Sequence, residues 1–278
     1  MNSATSRRTF LGATAALAAA SRAGFSATTE DPREFKIGVA TYSLRKFTRA
    51  QAIQMLKQLN VKYIDIKDVH LPLNSTPDEI KAARKEFEDA GFIIEGGGNV
   101  SFQKDDEQDI RNKFEYAKLA GLPLIVCAPT HATLPKMEKY VKEYNIKIAL
   151  HNHGPEDKHF PTPQSVLDAV KDMDPRCGLC MDIGHSARTG VDIVESARQA
   201  GSRLLSMHTK DLADTTAKGS QCDVGDGVLP IVGLFRQLHK MNYTGGVMLE
   251  YEIHDTDPMP GMQKSLAYER GVAAALRG

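Results

Sequence analysis

The chain has no excess of positive charge and no glycine-rich phosphate loop. Beyond an Ala-rich stretch that ends at Ala20, it has no apolar run approaching membrane-spanning length. Each absence removes a class of function. Lys+Arg and Asp+Glu both number 35, a formal net charge of +0, so nothing electrostatic favours a nucleic-acid partner. Without a run of about 20 apolar residues there is no stable membrane helix, and the mature protein is expected to be soluble. No Gly-x-Gly-x-x-Gly follows the first predicted strand, which argues against an open doubly wound nucleotide-binding sheet. Cysteines are few: Cys127, Cys177, Cys180 and Cys222. Cys177-Gly-Leu-Cys180 has the spacing of a redox or zinc pair. It falls in a predicted strand, however, where residues three apart face opposite sides, so a core role is expected. There is no low-complexity linker, and no repeat below a strand–helix unit.

At the N-terminus, Ser6-Arg7-Arg8-Thr9-Phe10-Leu11 is a twin-arginine pattern. An Ala-rich run follows, then small residues suited to cleavage near Ala23 or Ala27. Residues 1–27 are expected to be an export segment, with a disordered basic tail as the alternative. The expected location is the periplasm, reached by a route that carries folded proteins. Removing the segment takes away Arg7, Arg8 and Arg22 and no acid, leaving 32 basic and 35 acidic residues, a net charge of −3. About 250 of the 278 residues remain, most simply one large domain.

Short β-leaning apolar runs recur at 37–43, 63–67, 92–95, 124–128, 146–151, 178–183, 204–208 and 246–250. Helical patterns lie between them, at 49–59, 76–91, 108–120, 134–144, 162–172, 193–200, 231–241 and from about 262 onward. Thr76-Pro77-Asp78-Glu79 is a helix cap followed by proline in the first turn. Eight strands alternating with helices predict an α/β fold of the (β/α)8 TIM barrel type, a single domain over 36–278. Gly96-Gly97-Gly98 ends the third predicted strand. It reads as a tight turn or as a close approach of backbone to substrate.

In such a barrel, chemistry belongs at the C-terminal ends of the strands. Four consecutive strands end in polar groups there: His151 and His153; Asp182 and His185; His208, Lys210 and Asp211; Glu250 and Glu252. Alternate residues of a strand share a face. His151 with His153, His208 with Lys210, and Glu250 with Glu252 can therefore face one lumen. Asp182 and His185 need a turn, which Gly184 permits. Scattered structural polars are the bland alternative. Four strands ending alike point instead to one divalent metal held by imidazoles and carboxylates without thiolate. Mn²⁺, Co²⁺, Mg²⁺, Fe²⁺ and Zn²⁺ all suit that set.

Met181-Asp182-Ile-Gly184-His185, Met207-His208-Thr-Lys210-Asp211 and the eighth-strand Glu250 resemble motifs of the xylose isomerase-like barrels, often labelled sugar phosphate isomerase/epimerase. The resemblance covers residues 36–278. It implies that Asp182, His208 and Glu250 bind the metal and that His185 faces substrate. In the sugar epimerases of this group a glutamate stands at the fifth-strand ligand position. Here it is His151, which can bind metal but is a poor proton shuttle once bound. His151-Asn-His153-Gly-Pro and Lys67-Asp68-Val-His70-Leu-Pro are similar to an exported subgroup acting on 3-keto-sugars and 3-keto-glycosides.

The function this implies is metal-dependent isomerisation or epimerisation of a non-phosphorylated sugar or keto-sugar through an enediolate. The alternative on the same site is a lyase or hydratase acting by β-elimination. Glu250, His153 and Lys210 are the acid/base candidates. His185, Lys67, His70 and Arg188 are the candidates for contacting substrate. A periplasmic sugar-binding protein without catalysis is the reading from another class. The expected partner is a small sugar or glycoside, not nucleic acid. The oligomeric state is open.

Overall fold

The computed structural model describes residues 34–277; the export-segment reading lies outside them. The barrel strands are β1 (Lys36–Ala40), β2 (Tyr63–Ile66), β3 (Ile93–Phe102), β4 (Leu124–Pro129), β5 (Lys147–His151), β6 (Cys177–Asp182), β7 (Leu204–Thr209) and β10 (Gly246–Leu249). They are parallel and close in the order β1-β10-β7-β6-β5-β4-β3-β2. The helices are α1 (Arg49–Gln58), α2 (Pro77–Asp89), α3 (Glu107–Leu119), α4 (Leu134–Tyr144), α5 (Pro163–Val170), α6 (Ile183–Arg188), α7 (Ile193–Ala200), α8 (Ile231–Lys240) and α9 (Met259–Leu276). An antiparallel pair, β8 (Asp211–Leu212) and β9 (Gln221–Cys222), interrupts the stretch after β7. This is the expected (β/α)8 barrel. No helix among the described residues is long and apolar enough to cross a membrane.

Local chemistry marks the element ends. Thr76 and Glu79 form a reciprocal capping box with Pro77 in the first turn of α2. Helices α1, α4 and α8 are followed by Asn60, Asn145 and Asn242, each at a φ of 50 to 53°, a conformation asparagine tolerates better than most residues. The main core lies between helices and sheet, where Phe87, Phe114, Tyr140 and Phe235 pack. Inside the barrel, smaller groups form a separate cluster: Leu124, Val126, Ala149 and Cys180. Cys177 belongs to the outer core and Cys180 to the inner one. The pair thus sits on opposite faces of β6, and both thiols are free.

The glycine run does not end its strand. β3 continues through Gly96–Gly98 to Phe102, so the tight-turn reading is corrected. A Cβ at Gly97 would lie 2.9 Å from the Ile66 carbonyl oxygen, and one at Gly98 would lie 2.1 Å from that of Val126. Carbonyls of the neighbouring strands press against this backbone.

One buried acid lies off the expected site. Glu269, on α9, is buried. Neither of its carboxyl oxygens has a partner at full hydrogen-bond geometry among the described residues; the nearby Thr209 hydroxyl and Arg270 favour its charged form but do not offset burial. Burial pushes its pKa up to about 8 from 4.5. The folded protein therefore keeps this proton where the unfolded chain releases it. Stability is expected to fall as pH rises from about 4.5 to about 8, by up to about 1.4 kcal/mol per pH unit. Urea unfolding of wild type and Glu269→Gln at pH 5.5 and 7.5 checks this. The variant should gain on wild type as pH rises, whereas a pH-independent difference would show that Glu269 ionises in the fold.

Candidate metal centre

The ends of β5, β6, β7 and β10 bring His151, Asp182, His208 and Glu250 together. One ligand atom from each lies within 4.8 Å of the others. His151 Nε2 and His208 Nδ1 face each other at 2.9 Å. Asp182 Oδ2 is 3.6 Å from His151 Nε2, and Glu250 Oε1 is 3.4 Å from His208 Nδ1.

Asp182 and His208 are each aimed by a second contact, whereas His151 Nδ1 has no partner among the described residues. Asp182 caps α6, where its Oδ1 accepts from the His185 N–H at 2.7 Å, which turns Oδ2 toward the lumen. Asn152 points away from the lumen and ties β5 to β6, donating to Ser186 Oγ at 3.0 Å and accepting from the Asp182 N–H at 3.1 Å. Asp65, buried on β2, stands behind His208 with Oδ2 3.9 Å from Nε2. Neither Asp65 oxygen has another partner among the described residues. A carboxylate there favours a proton on Nε2 and leaves Nδ1 free to bind metal.

The donor set fits a divalent ion. Burial, with the His208 charge adding to it, holds the His151 ring well below the ordinary histidine range, so it is a neutral ligand. Burial also opposes charge on His208, but Cys180, Glu250 and Asp65 outweigh it and favour a proton. A divalent ion held by these four groups would supply the positive charge that a proton on His208 otherwise provides. Cys180 also reaches both histidines. Burial pushes its thiol pKa up, and a thiol must ionise to bind metal, so the carboxylates are the better ligands.

Lys210 takes a different part from the one expected. Its ammonium is 3% exposed and touches Asp182 Oδ2 at 2.9 Å, Glu250 Oε2 at 2.8 Å and Glu252 Oε2 at 2.6 Å. Burial opposes the charge, yet the three carboxylates raise its pKa well above the usual lysine range. With three carboxylates around it, the ammonium is placed to neutralise and align the ligand carboxylates. Gly184 makes room for it, since a Cβ there would lie 2.7 Å from the Lys210 side chain. That is a packing reason, different from the turn expected of Gly184. Asp211 is structural: its carboxylate accepts the backbone N–H of Leu212, Gly225, Gly227 and Leu229 at 2.9 to 3.2 Å. It thereby shapes the loop that carries β9.

A profile of the xylose isomerase-like TIM barrel family matches residues 17–271. The chain belongs to that family. A protein of Escherichia coli (strain K12) named "Putative L-ribulose-5-phosphate 3-epimerase SgbU" is 33% identical over 73 residues, 25% of this chain and 26% of that one. The match thus spans about a quarter of that relative. Among solved structures, D-allulose 3-epimerase from Methylomonas sp. aligns with a TM-score of 0.70 and 15% identity, covering 86% of this chain and 98% of that one. The 3-keto-D-glucoside 4-epimerase from E. coli aligns with a TM-score of 0.68 and 17% identity, covering 86% and 100%. At these identities the structural likeness speaks for the fold.

The other expected contacts divide. His153 and His185 line the mouth beside His151, with ring centroids 4.3 Å and 5.9 Å from it. His153 is 34% exposed and hydrogen-bonds Asn99 Nδ2 through Nε2 at 2.8 Å and Asp157 Oδ2 through Nδ1 at 3.3 Å. Asp157 is itself held by the N–H groups of His159 and Phe160. Lys67 reaches the Asn99 carbonyl at 3.2 Å, one residue from this network. His70 is not at the mouth, which corrects the expectation for it. It is buried, with Nδ1 bonded to Thr41 Oγ1 at 3.0 Å and Nε2 to the Phe47 carbonyl at 3.2 Å. Both ring nitrogens are spent on the β1–α1 connection. Arg188 pairs with Glu156 and lines a cavity with His185 and Lys210.

Asp65, Asn99 and Asp157 were not found from sequence. Only Asp65 carried a signal there, as an acid inside the apolar run Tyr63-Ile-Asp-Ile.

Proposed function

We propose that the chain is a divalent-metal-dependent isomerase or epimerase of a non-phosphorylated sugar or keto-sugar, exported through its twin-arginine segment. The observation that carries this is the convergence of His151, Asp182, His208 and Glu250 at the C-terminal ends of the barrel strands. A bound divalent ion would polarise a sugar carbonyl and acidify the neighbouring C–H.

The chain's own groups handle the proton. Burial raises the Glu250 pKa, but Lys210 and His208 outweigh it and hold the carboxyl well below the ordinary range, so Glu250 is a carboxylate. It is itself one of the four ligands and is 13% exposed, so it can meet a substrate bound there. Burial, reinforced by His185, lowers the His153 pKa, so that ring is neutral; its Nε2 accepts from Asn99 and its Nδ1 faces Asp157, and it serves as a second base where substrate displaces Asn99. His185 is placed to orient a hydroxyl group.

Both acid/base candidates rest unprotonated, and His151 occupies a position where a second glutamate would serve. The proton one base removes is therefore best returned by that same base, to the same or the adjacent carbon, which favours isomerisation. The same feature supports the second reading, in which the carbanion expels a β-substituent.

The test is to incubate metal-loaded protein in D₂O with ketoses and with 3-keto-glycosides and follow both by NMR. Deuterium at a carbon next to the carbonyl, with every substituent retained, is the expected result. Release of an aglycone would replace the isomerase reading with elimination. No exchange on any keto-sugar would leave only a binding protein.

A further inference from the structure

The His153 ring is held at both nitrogens. Nδ1 lies 3.3 Å from Asp157 Oδ2, and Nε2 lies 2.8 Å from the Asn99 side-chain nitrogen. We propose that Asp157 is a positioning residue: it fixes the His153 ring in the tautomer with its proton on Nδ1, so that Nε2 is the atom that takes the substrate proton. The chemical part of this rests on the reading of His153 as a base.

The two contacts admit one tautomer. A neutral imidazole carries one proton, and a carboxylate oxygen can only accept. With the proton on Nδ1, the ring donates to Asp157 and its Nε2 lone pair accepts from the Asn99 NH₂ group. With the proton on Nε2, that N–H would point at a second donor and the Nδ1 lone pair at a carboxylate. Turning the Asn99 amide end for end would cure only the first of these.

The carboxylate is held from behind. Its Oδ1 accepts the N–H of His159 at 2.8 Å and that of Phe160 at 3.1 Å, which leaves Oδ2 for the ring. The backbone closes around the pair. The Asp157 N–H donates to the Gly154 carbonyl at 3.0 Å, and the His153 N–H to the Phe160 carbonyl at 3.3 Å. Gly154 makes this turn at a φ of 79°, in the left-handed region that glycine enters freely.

In the reaction the bond between a substrate carbon and its hydrogen breaks. The electron pair stays on that carbon, beside the carbonyl, and a new N–H bond forms at Nε2. The ring then carries a positive charge, which Asp157 Oδ2 faces. A carboxylate behind an imidazole keeps the ring oriented and stabilises the cation that forms. Returning the proton to carbon restores the neutral ring.

Asp157→Asn separates this role from loop building. The side-chain oxygen still accepts the His159 and Phe160 N–H groups, but an NH₂ group then faces Nδ1 and favours a proton on Nε2. The test is long-range proton–nitrogen NMR of protein labelled with nitrogen-15 in its histidines and loaded with diamagnetic Mg²⁺ or Zn²⁺. His153→Gln assigns the signal, and deuterium exchange into keto-sugars is measured on the same samples. The ring should carry its proton on Nδ1 in wild type and on Nε2 in Asp157→Asn. Exchange should fall about 10²-fold in Asp157→Asn, the lower end of what a positioned base contributes, with metal content unchanged. Adding His153→Gln to it should cost little more. A wild-type ring protonated on Nε2, or a proton that stays on Nδ1 in Asp157→Asn, would overturn the inference. A proton that moves to Nε2 while exchange is unchanged would instead overturn His153 as a base.

Discussion

Lys210→Met is expected to destabilise the metal-free protein by about 3–5 kcal/mol, the usual cost of removing one partner from a buried ion pair. The ammonium sits among Asp182, Glu250 and Glu252 at 2.6 to 2.9 Å. Asp182 is fully buried, as is Lys210. Without the lysine, Asp182 and Glu250 face each other with no positive group but the histidines. Glu252 is partly solvated, so its share of the loss is small. Urea unfolding of chelator-treated protein measures the loss. A bound divalent ion supplies the missing charge, so the deficit should shrink when metal is restored. A loss below about 1 kcal/mol in the metal-free protein would mean that Lys210 does not neutralise these carboxylates.

Glu250→Gln is expected to lower kcat by about 10² to 10⁴, the range of a positioned general base, while the variant still folds and binds metal through its remaining ligands. The carboxylate is ionised and partly exposed at the cluster, and glutamine keeps the shape without the basicity. His153→Gln should cost less, because that ring stands behind the mouth contacts with Asn99 and Asp157. Metal content and kcat measured on the same samples separate loss of a base from loss of a ligand. Activity of Glu250→Gln within tenfold of wild type would move the base elsewhere.

The barrel was legible because its signals are local. Capping residues, proline in a first turn and Asn or Gly after helices punctuate the chain at each strand–helix exchange. The ligand cluster was legible because a parallel barrel brings strand ends together, so polar residues at those ends meet whatever their separation in sequence. The misreadings involve contacts between distant segments. Gly96–Gly98 looked like an ending, yet the run is needed because β2 and β4 carbonyls crowd the backbone. His70 was a candidate for contacting substrate because it follows the second strand, yet Thr41 and Phe47 claim it. Lys210 looked like a free base, and only the closed barrel places three carboxylates around it. Asp157 gave no sign at all, since its role depends on the tight turn Gly154–Glu156 bringing it back to His153.

The central claim is that four strand ends hold one divalent ion, and metal content tests it most directly. Protein stripped with chelator, reloaded, desalted and analysed by plasma mass spectrometry should carry about one ion per chain as wild type, and almost none as Asp182→Ala or His208→Ala. Full occupancy in Asp182→Ala, or none in wild type with any of the five candidate metals, would contradict it.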